Sequence, residues 1–77
     1  MIDYRKYITV EPGKRSGQPC IRGMRITVGD ILSYLASEMT MEEILDDFPK
    51  LTKQDILAAL AYAADVQNRT SVLRAAA

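Results

Sequence analysis

Histidine is absent from this chain of 77 residues, and cysteine occurs once, as Cys20. A single thiol cannot close an internal disulfide, and without imidazole the usual nitrogen and sulfur ligands of a zinc site are missing. The commonest general base of enzymes is missing with it. Long apolar runs are scarce too: the stretch that includes Leu60–Ala64 falls well short of the about 20 residues a membrane span requires. The polar opening Met1-Ile2-Asp3-Tyr4-Arg5-Lys6 lacks the apolar segment of a signal peptide, so a cytoplasmic location is expected. A lone thiol suits that reducing compartment.

What is present describes one small domain: 48% of the residues are apolar and 26% charged, with no room for a second unit. A chain this short hides only about 60% of the surface that its unfolded form exposes, so it needs an additional staple. With disulfides and metal set aside, self-association is expected, most simply as a homodimer. The net charge of zero conceals a division. Residues 1–28 set Arg5, Lys6, Lys14, Arg15, Arg22 and Arg25 against Asp3 and Glu11, a balance of +4. Residues 29–66 set Asp30, Glu38, Glu42, Glu43, Asp46, Asp47, Asp55 and Asp65 against Lys50 and Lys53, a balance of −6, and Arg69 and Arg74 add +2. Such asymmetry implies either two surfaces with partners of opposite charge or plain solvation combined with subunit pairing.

Tyr4–Val10 is rich in aromatic and β-branched residues and reads as a short strand. Glu11–Pro19 holds four of the seven glycines and prolines, which predicts a loop. Cys20-Ile21-Arg22 and Arg25-Ile26-Thr27 flank Gly23-Met24 as a brief extended excursion, with Gly23 supplying a positive φ. From Thr27 the period becomes helical. Val28, Ile31, Leu32 and Leu35 form one apolar stripe behind a Thr27 cap, with Asp30 in the first turn. Thr40-Met41-Glu42-Glu43 is a capping box opening a second helix, with Met41, Ile44, Leu45 and Phe48 facing inward and Pro49 ending it. Thr52-Lys53-Gln54-Asp55 opens a third and longest helix, whose predicted inner stripe is Ile56, Leu57, Leu60, Ala63 and Ala64. Its alanines permit close helix approach, and its apolar arc exceeds what one core requires, so part of it is a candidate subunit interface.

The second helix, the connection Pro49-Lys50-Leu51-Thr52 and the third helix have the lengths of a helix-turn-helix, with the first helix completing a homeodomain-like bundle. The same arrangement also serves packing alone in many small helical domains. In a DNA reader, Thr52, Lys53 and Gln54 reach base edges, Gln54 being suited to adenine. Phosphate contacts call for Lys and Arg, and the better supply is Arg5, Lys6, Lys14, Arg15, Arg22 and Arg25 in the N-terminal segment. These bases equally protect an exposed strand edge. Enzyme readings fare poorly. The carboxylates of Glu42, Glu43, Asp46 and Asp47 fit a solvated helix face, and Gly13-Lys14-Arg15-Ser16-Gly17 lacks the spacing of a phosphate loop. Cys20, with no histidine to activate it, fits a small apolar filler. No catalytic residue, metal or cofactor is expected.

The run Gly17-Gln18-Pro19-Cys20-Ile21-Arg22-Gly23-Met24-Arg25-Ile26-Thr27-Val28, together with Phe48-Pro49-Lys50-Leu51-Thr52 and Asp55-Ile56, resembles the family catalogued as domain of unknown function 433. Its signature is G-x-P-x-I-x-G-T-R-I-x-V followed later by Y-P-x-L-T-x-x-D-I, and the likeness covers nearly all of residues 2–68. Met24 stands where that family usually has Thr, and Phe48 where it usually has Tyr; each loses a hydroxyl. The resemblance implies a mainly α fold, a short N-terminal β segment (1–27) followed by a homeodomain-like three-helix bundle (28–68). Residues 69–77, with Val72, Leu73 and three terminal alanines and nothing obvious to pack on, are expected to form a flexible tail or to become ordered with a partner. It also implies a VapB-like antitoxin of a type II toxin–antitoxin pair, binding a PIN-like ribonuclease toxin and, as a dimer, its operator DNA. Inhibition then has two routes: Arg69 and Arg74 entering the toxin's acidic metal cluster, or Glu42, Glu43, Asp46 and Asp47 covering its basic RNA-binding face. The alternative is a stand-alone helix-turn-helix regulator acting without a toxin.

Overall fold

Three threonines open three helices in the same way. The Thr27, Thr40 and Thr52 hydroxyls accept the backbone N–H groups of Asp30 (2.9 Å), Glu43 (3.1 Å) and Asp55 (3.2 Å). In return, the carboxylates of Asp30, Glu43 and Asp55 accept the threonines' own N–H groups at 3.0, 2.8 and 2.8 Å. Each reciprocal pair satisfies two backbone donors that a helix start otherwise leaves unmet. The computed structural model describes residues 1–70, and in it the helices are α1 (Val28–Ala36), α2 (Met41–Asp47) and α3 (Lys53–Thr70). Pro49 excludes the helical region for Phe48, which sits at φ −127°, ψ 80°, and α2 stops there.

The end of α1 has a different device. The N–H of Met39 reaches the Tyr34 carbonyl (3.1 Å) and that of Glu38 reaches Leu35 (3.0 Å), the paired bonds of a Schellman motif. Such a motif needs a left-handed residue, and Glu38 takes that role at φ 70°, where glycine is the usual occupant.

Ahead of the helices, β1 (Ile8–Val10) pairs antiparallel with β2 (Pro19–Ile21), matching Ile8 with Ile21, Thr9 with Cys20 and Val10 with Pro19. Beyond β2 the chain reverses through Arg22 (φ 43°) and Gly23 (φ 74°), and the Met24 N–H closes the turn on the Ile21 carbonyl at 2.7 Å. Two successive positive φ angles define a primed hairpin turn. Its return limb meets β2 through the Ile21 N–H to Ile26 carbonyl bond (2.9 Å) and a bridge between Cys20 and Thr27. The core lies between this hairpin and the helices and contains Ile21, Val28, Ile31, Ile44, Leu51, Ile56 and Ala59. The rings of Tyr34 and Phe48 stack beside it at 5.2 Å. Cys20 is buried, its thiol donating to the Gln18 carbonyl. The chain is thus mainly helical, with a short two-stranded sheet and three helices.

Several expectations are corrected. Strand pairing starts only at Ile8, because Asp3 accepts the Arg5 N–H and caps a single 3₁₀ turn at Tyr4–Lys6. Tyr4 is drawn to α3 instead, donating its hydroxyl to Asp65 and meeting Tyr62 edge to face at 5.3 Å. Within the predicted loop, Arg15–Gly17 forms a left-handed turn, and Pro19 already belongs to β2. On α3 the inner face is rotated from the predicted stripe: Asp55, Ile56, Ala58, Ala59 and Ala61 are buried, whereas Leu60 is exposed. The helix packs against α1, α2, β1 and the Tyr4–Lys6 turn together, so several of its faces meet backbone closely and require alanine. Its described span, Lys53–Thr70, takes in Arg69 and Thr70, the first two residues of the expected tail. The rest of the predicted tail, residues 71–77, lies outside the described residues.

Replacing Glu38 with glycine removes the cost of a left-handed side-chain-bearing residue. Glu38→Gly is expected to raise the unfolding free energy by about 0.5–1 kcal/mol. Urea unfolding followed by circular dichroism checks it, and a lowered midpoint contradicts it.

Candidate functional site

Arg22 is where the chain's charge and its fold meet. Its left-handed backbone points its own N–H to the Tyr7 carbonyl (2.7 Å) and its side chain toward the start of α3. There the guanidinium grips Asp55 with two bonds, Nε to Oδ1 at 2.8 Å and Nη2 to Oδ2 at 2.9 Å, and Nη2 also donates to the Lys50 carbonyl at 2.8 Å. Asp55 is fully buried, while 41% of the Arg22 side chain remains exposed. Burial pushes the Asp55 carboxyl up, but hydrogen bonds from Arg22 and the Thr52 amide, with the guanidinium charge, outweigh it and hold the group below the ordinary carboxylate value.

Other basic residues assigned to DNA from the sequence are also engaged within the fold. Arg15 donates to the Arg25 carbonyl and pairs with Asp30 at 2.8 Å. Asp30 is pushed up by burial and, more strongly, down by the Thr27 amide and Arg15. Lys14 donates to the Gly23 carbonyl and lies 3.4 Å from Glu11. Arg5 pairs with Asp3 at 3.0 Å. Four of the six N-terminal bases therefore spend part of their charge on the protein itself. Lys6 and Arg25 are exposed and make no ion pair among the described residues.

At the start of α3, Lys53 and Gln54 are exposed, and Thr52 is committed to its cap. On α2, Glu42, Glu43, Asp46 and Asp47 all face solvent, Glu43 also serving its own cap. Arg69 pairs with Asp65 one turn back at 3.1 Å, and Arg74 lies outside the described residues. Sequence reasoning missed Asp55 and Lys50. Asp55 was visible as the fourth residue of a capping pattern and within the signature stretch, but its second role toward Arg22 spans 33 positions, so no local signal announces that role. Lys50 stood in the helix connection, and the fold brings it alongside Arg25 and Lys14 at one groove.

Fold and surface together define a small, mainly helical domain in which a β turn is clamped to the first turn of the last helix. Residues 8–63 match the family described as "Protein of unknown function (DUF433)", and the chain belongs to that family. It is 32% identical over 59 residues to the "Uncharacterized protein y4eO" of Sinorhizobium fredii (strain NBRC 101917 / NGR234), covering 77% of this chain and 27% of that protein. The crystal structure of a DUF433 member from Anabaena variabilis ATCC 29413 superposes with a TM-score of 0.75 at 32% identity, covering 80% of this chain and 61% of that one. The chain thus spans about a quarter of the curated relative and under two thirds of the crystallised one. Among the described residues no helix is long and apolar enough to cross a membrane.

Removing Arg22 strands a buried carboxylate. Such a loss typically costs about 3–5 kcal/mol in a closed interior, and the partial exposure of Arg22 reduces the expected cost of Arg22→Ala to about 2–3 kcal/mol. Because Asp30 and Asp55 titrate below their unfolded value of about 3.9, their stabilisation is complete above that pH and fades as pH falls through the lower folded values. Urea midpoints are therefore expected to be level from pH 7 to 5 and to fall below pH 4. The Arg22→Ala variant should lose less on acidification, and an equal loss contradicts the assignment.

Proposed function

We propose that this chain is the antitoxin of a type II toxin–antitoxin pair, a non-catalytic dimer that neutralises a PIN-like ribonuclease and binds its own operator DNA. The observation that carries this reading is which charges the fold leaves unspent. The bases Lys6, Arg25, Lys50 and Lys53, and the acids Glu38, Glu42, Asp46 and Asp47, the last three on α2, are exposed and free of ion pairs among the described residues. A protein with two partners of opposite charge requires such a division.

In this reading α2 and α3, separated by residues 48–52, act as the helix-turn-helix of a homeodomain-like bundle. Lys53 neutralises a phosphate, and Gln54, exposed one residue further along α3, reads a base edge. The acidic face of α2 covers the toxin's basic RNA-binding surface. This route is favoured over the one through Arg69, whose charge is already shared with Asp65. Dimerisation covers the apolar groove of about 420 Å³ that Leu57, Leu60 and Ala64 form with Met1 and Ile2.

Co-expression with the protein encoded by the adjacent gene should yield a co-purifying complex that lacks the ribonuclease activity of the free partner. Glu42→Lys/Asp46→Lys should weaken that inhibition by at least about tenfold. Mobility shift on the upstream DNA should weaken steeply with salt and be reduced in Lys53→Ala/Gln54→Ala. DNA binding without any complex or inhibition leaves the stand-alone regulator, and neither activity sinks both readings.

A further inference from the structure

A groove of about 630 Å³ runs between two segments remote in sequence, the turn Gly23–Ile26 and the helix connection at residues 47–50. Its floor is apolar, made by Met24, Ile26, Phe48 and Pro49. Its rim is cationic, with Lys14, Arg25 and Lys50 against Asp47 alone. We infer that this groove is a docking site for an acidic peptide segment of a partner protein, one apolar side chain seated on the floor and flanking carboxylates on the rim. The inference stands apart from the toxin–antitoxin reading and is tested on the free chain.

The groove is preformed. Arg22, rooted in the turn, donates to the Lys50 carbonyl at 2.8 Å and holds Asp55 beneath it, so both walls are pinned to one guanidinium. Two carbonyls at the rim are already satisfied, that of Gly23 by Lys14 and that of Lys50 by Arg22. Binding therefore needs little reorganisation and strands few polar groups. Volume and lining fall in the range of sites that hold an apolar anchor with a few placed charges.

Charge decides the rest of the occupant. Elsewhere the fold neutralises its arginines internally, as in Arg5 with Asp3, Arg15 with Asp30, Arg22 with Asp55 and Arg69 with Asp65. Arg25 and Lys50 are spared, and they flank apolar surface. Carboxylates spaced around an apolar side chain satisfy that pattern. A nucleic-acid strand fits it less well, because one face of Phe48 is already stacked on Tyr34 and Asp47 opposes a continuous line of phosphates.

The test is a titration of the ¹⁵N-labelled chain with the hexapeptide Glu-Asp-Leu-Phe-Asp-Glu, read by amide chemical shifts. Saturable shifts are expected at Met24, Arg25, Phe48 and Lys50. Arg25→Glu/Lys50→Glu, both exposed positions, should weaken binding at least about tenfold. Met24→Thr/Phe48→Tyr, which adds hydroxyls to the floor, should weaken it about threefold. Dispersed spectra of the variants verify that they remain folded. Absence of saturable shifts at these amides overturns the inference, as does equal binding of Glu-Asp-Gly-Ser-Asp-Glu. So does binding there of a thymidine hexanucleotide in place of the peptide, or self-association in sedimentation that Arg25→Glu abolishes, which assigns the groove to a second copy.

Discussion

A buried carboxylate that is not compensated is among the most costly groups a small protein can contain. Asp55 has no exposure at all, and its compensation comes from Arg22, donated by a turn 33 positions earlier in the chain. Much of the architecture follows from delivering that guanidinium. Arg22 must adopt a left-handed backbone, Gly23 must follow it at positive φ, and the resulting turn must lie over the first turn of α3. The same side chain reaches the Lys50 carbonyl, so the connection between α2 and α3 is located by it too. One interaction thus joins the sheet, the interhelical connection and the start of the longest helix.

That longest helix explains how so short a chain builds a core. α3 is contacted by α1, α2, β1 and the first turn of the chain, so its alanines act as surfaces for close approach. Bulk comes from opposing elements, chiefly Ile21, Ile31 and Ile44, while Ile56 is the one large apolar side chain that α3 buries completely. The larger residues Leu57 and Leu60 face outward beside Met1 and Ile2. Tyr4 seals the other flank of this segment through Tyr62 and Asp65, which holds the start of the chain against α3.

Charge is used twice. The acids that cap α1 and α3 are also the partners of Arg15 and Arg22, so the residues that begin helices simultaneously fasten the preceding loop and turn. What is left over is Lys6 near the start of the chain, Glu38 after α1, Arg25, Lys50 and Lys53 at the turn, the helix connection and the start of α3, and Glu42, Asp46 and Asp47 along α2, Asp47 sharing one groove with Arg25 and Lys50. A formal charge of zero therefore does not describe the surface, on which these unspent charges remain exposed.

Local rules made the helices legible. Thr27, Thr40 and Thr52, each with an acid three residues later, mark their starts, and Pro49 marks an end, because capping and proline sterics act within a few residues of the chain. Tyr4–Lys6 was misread because β-branched and aromatic content says nothing of a tyrosine hydroxyl drawn to Asp65, 61 positions away. The candidate site was legible as residue types but not as places. Arg22 and Arg15 pair with carboxylates 33 and 15 positions away, and Lys50 lines a groove with Arg25 only through the fold. By itself the sequence determined where helices begin and that its charge is divided along the chain. Only the tertiary structure decided which of those charges remain available to a partner, since an ion pair depends on distance in space and the chain encodes only distance along itself.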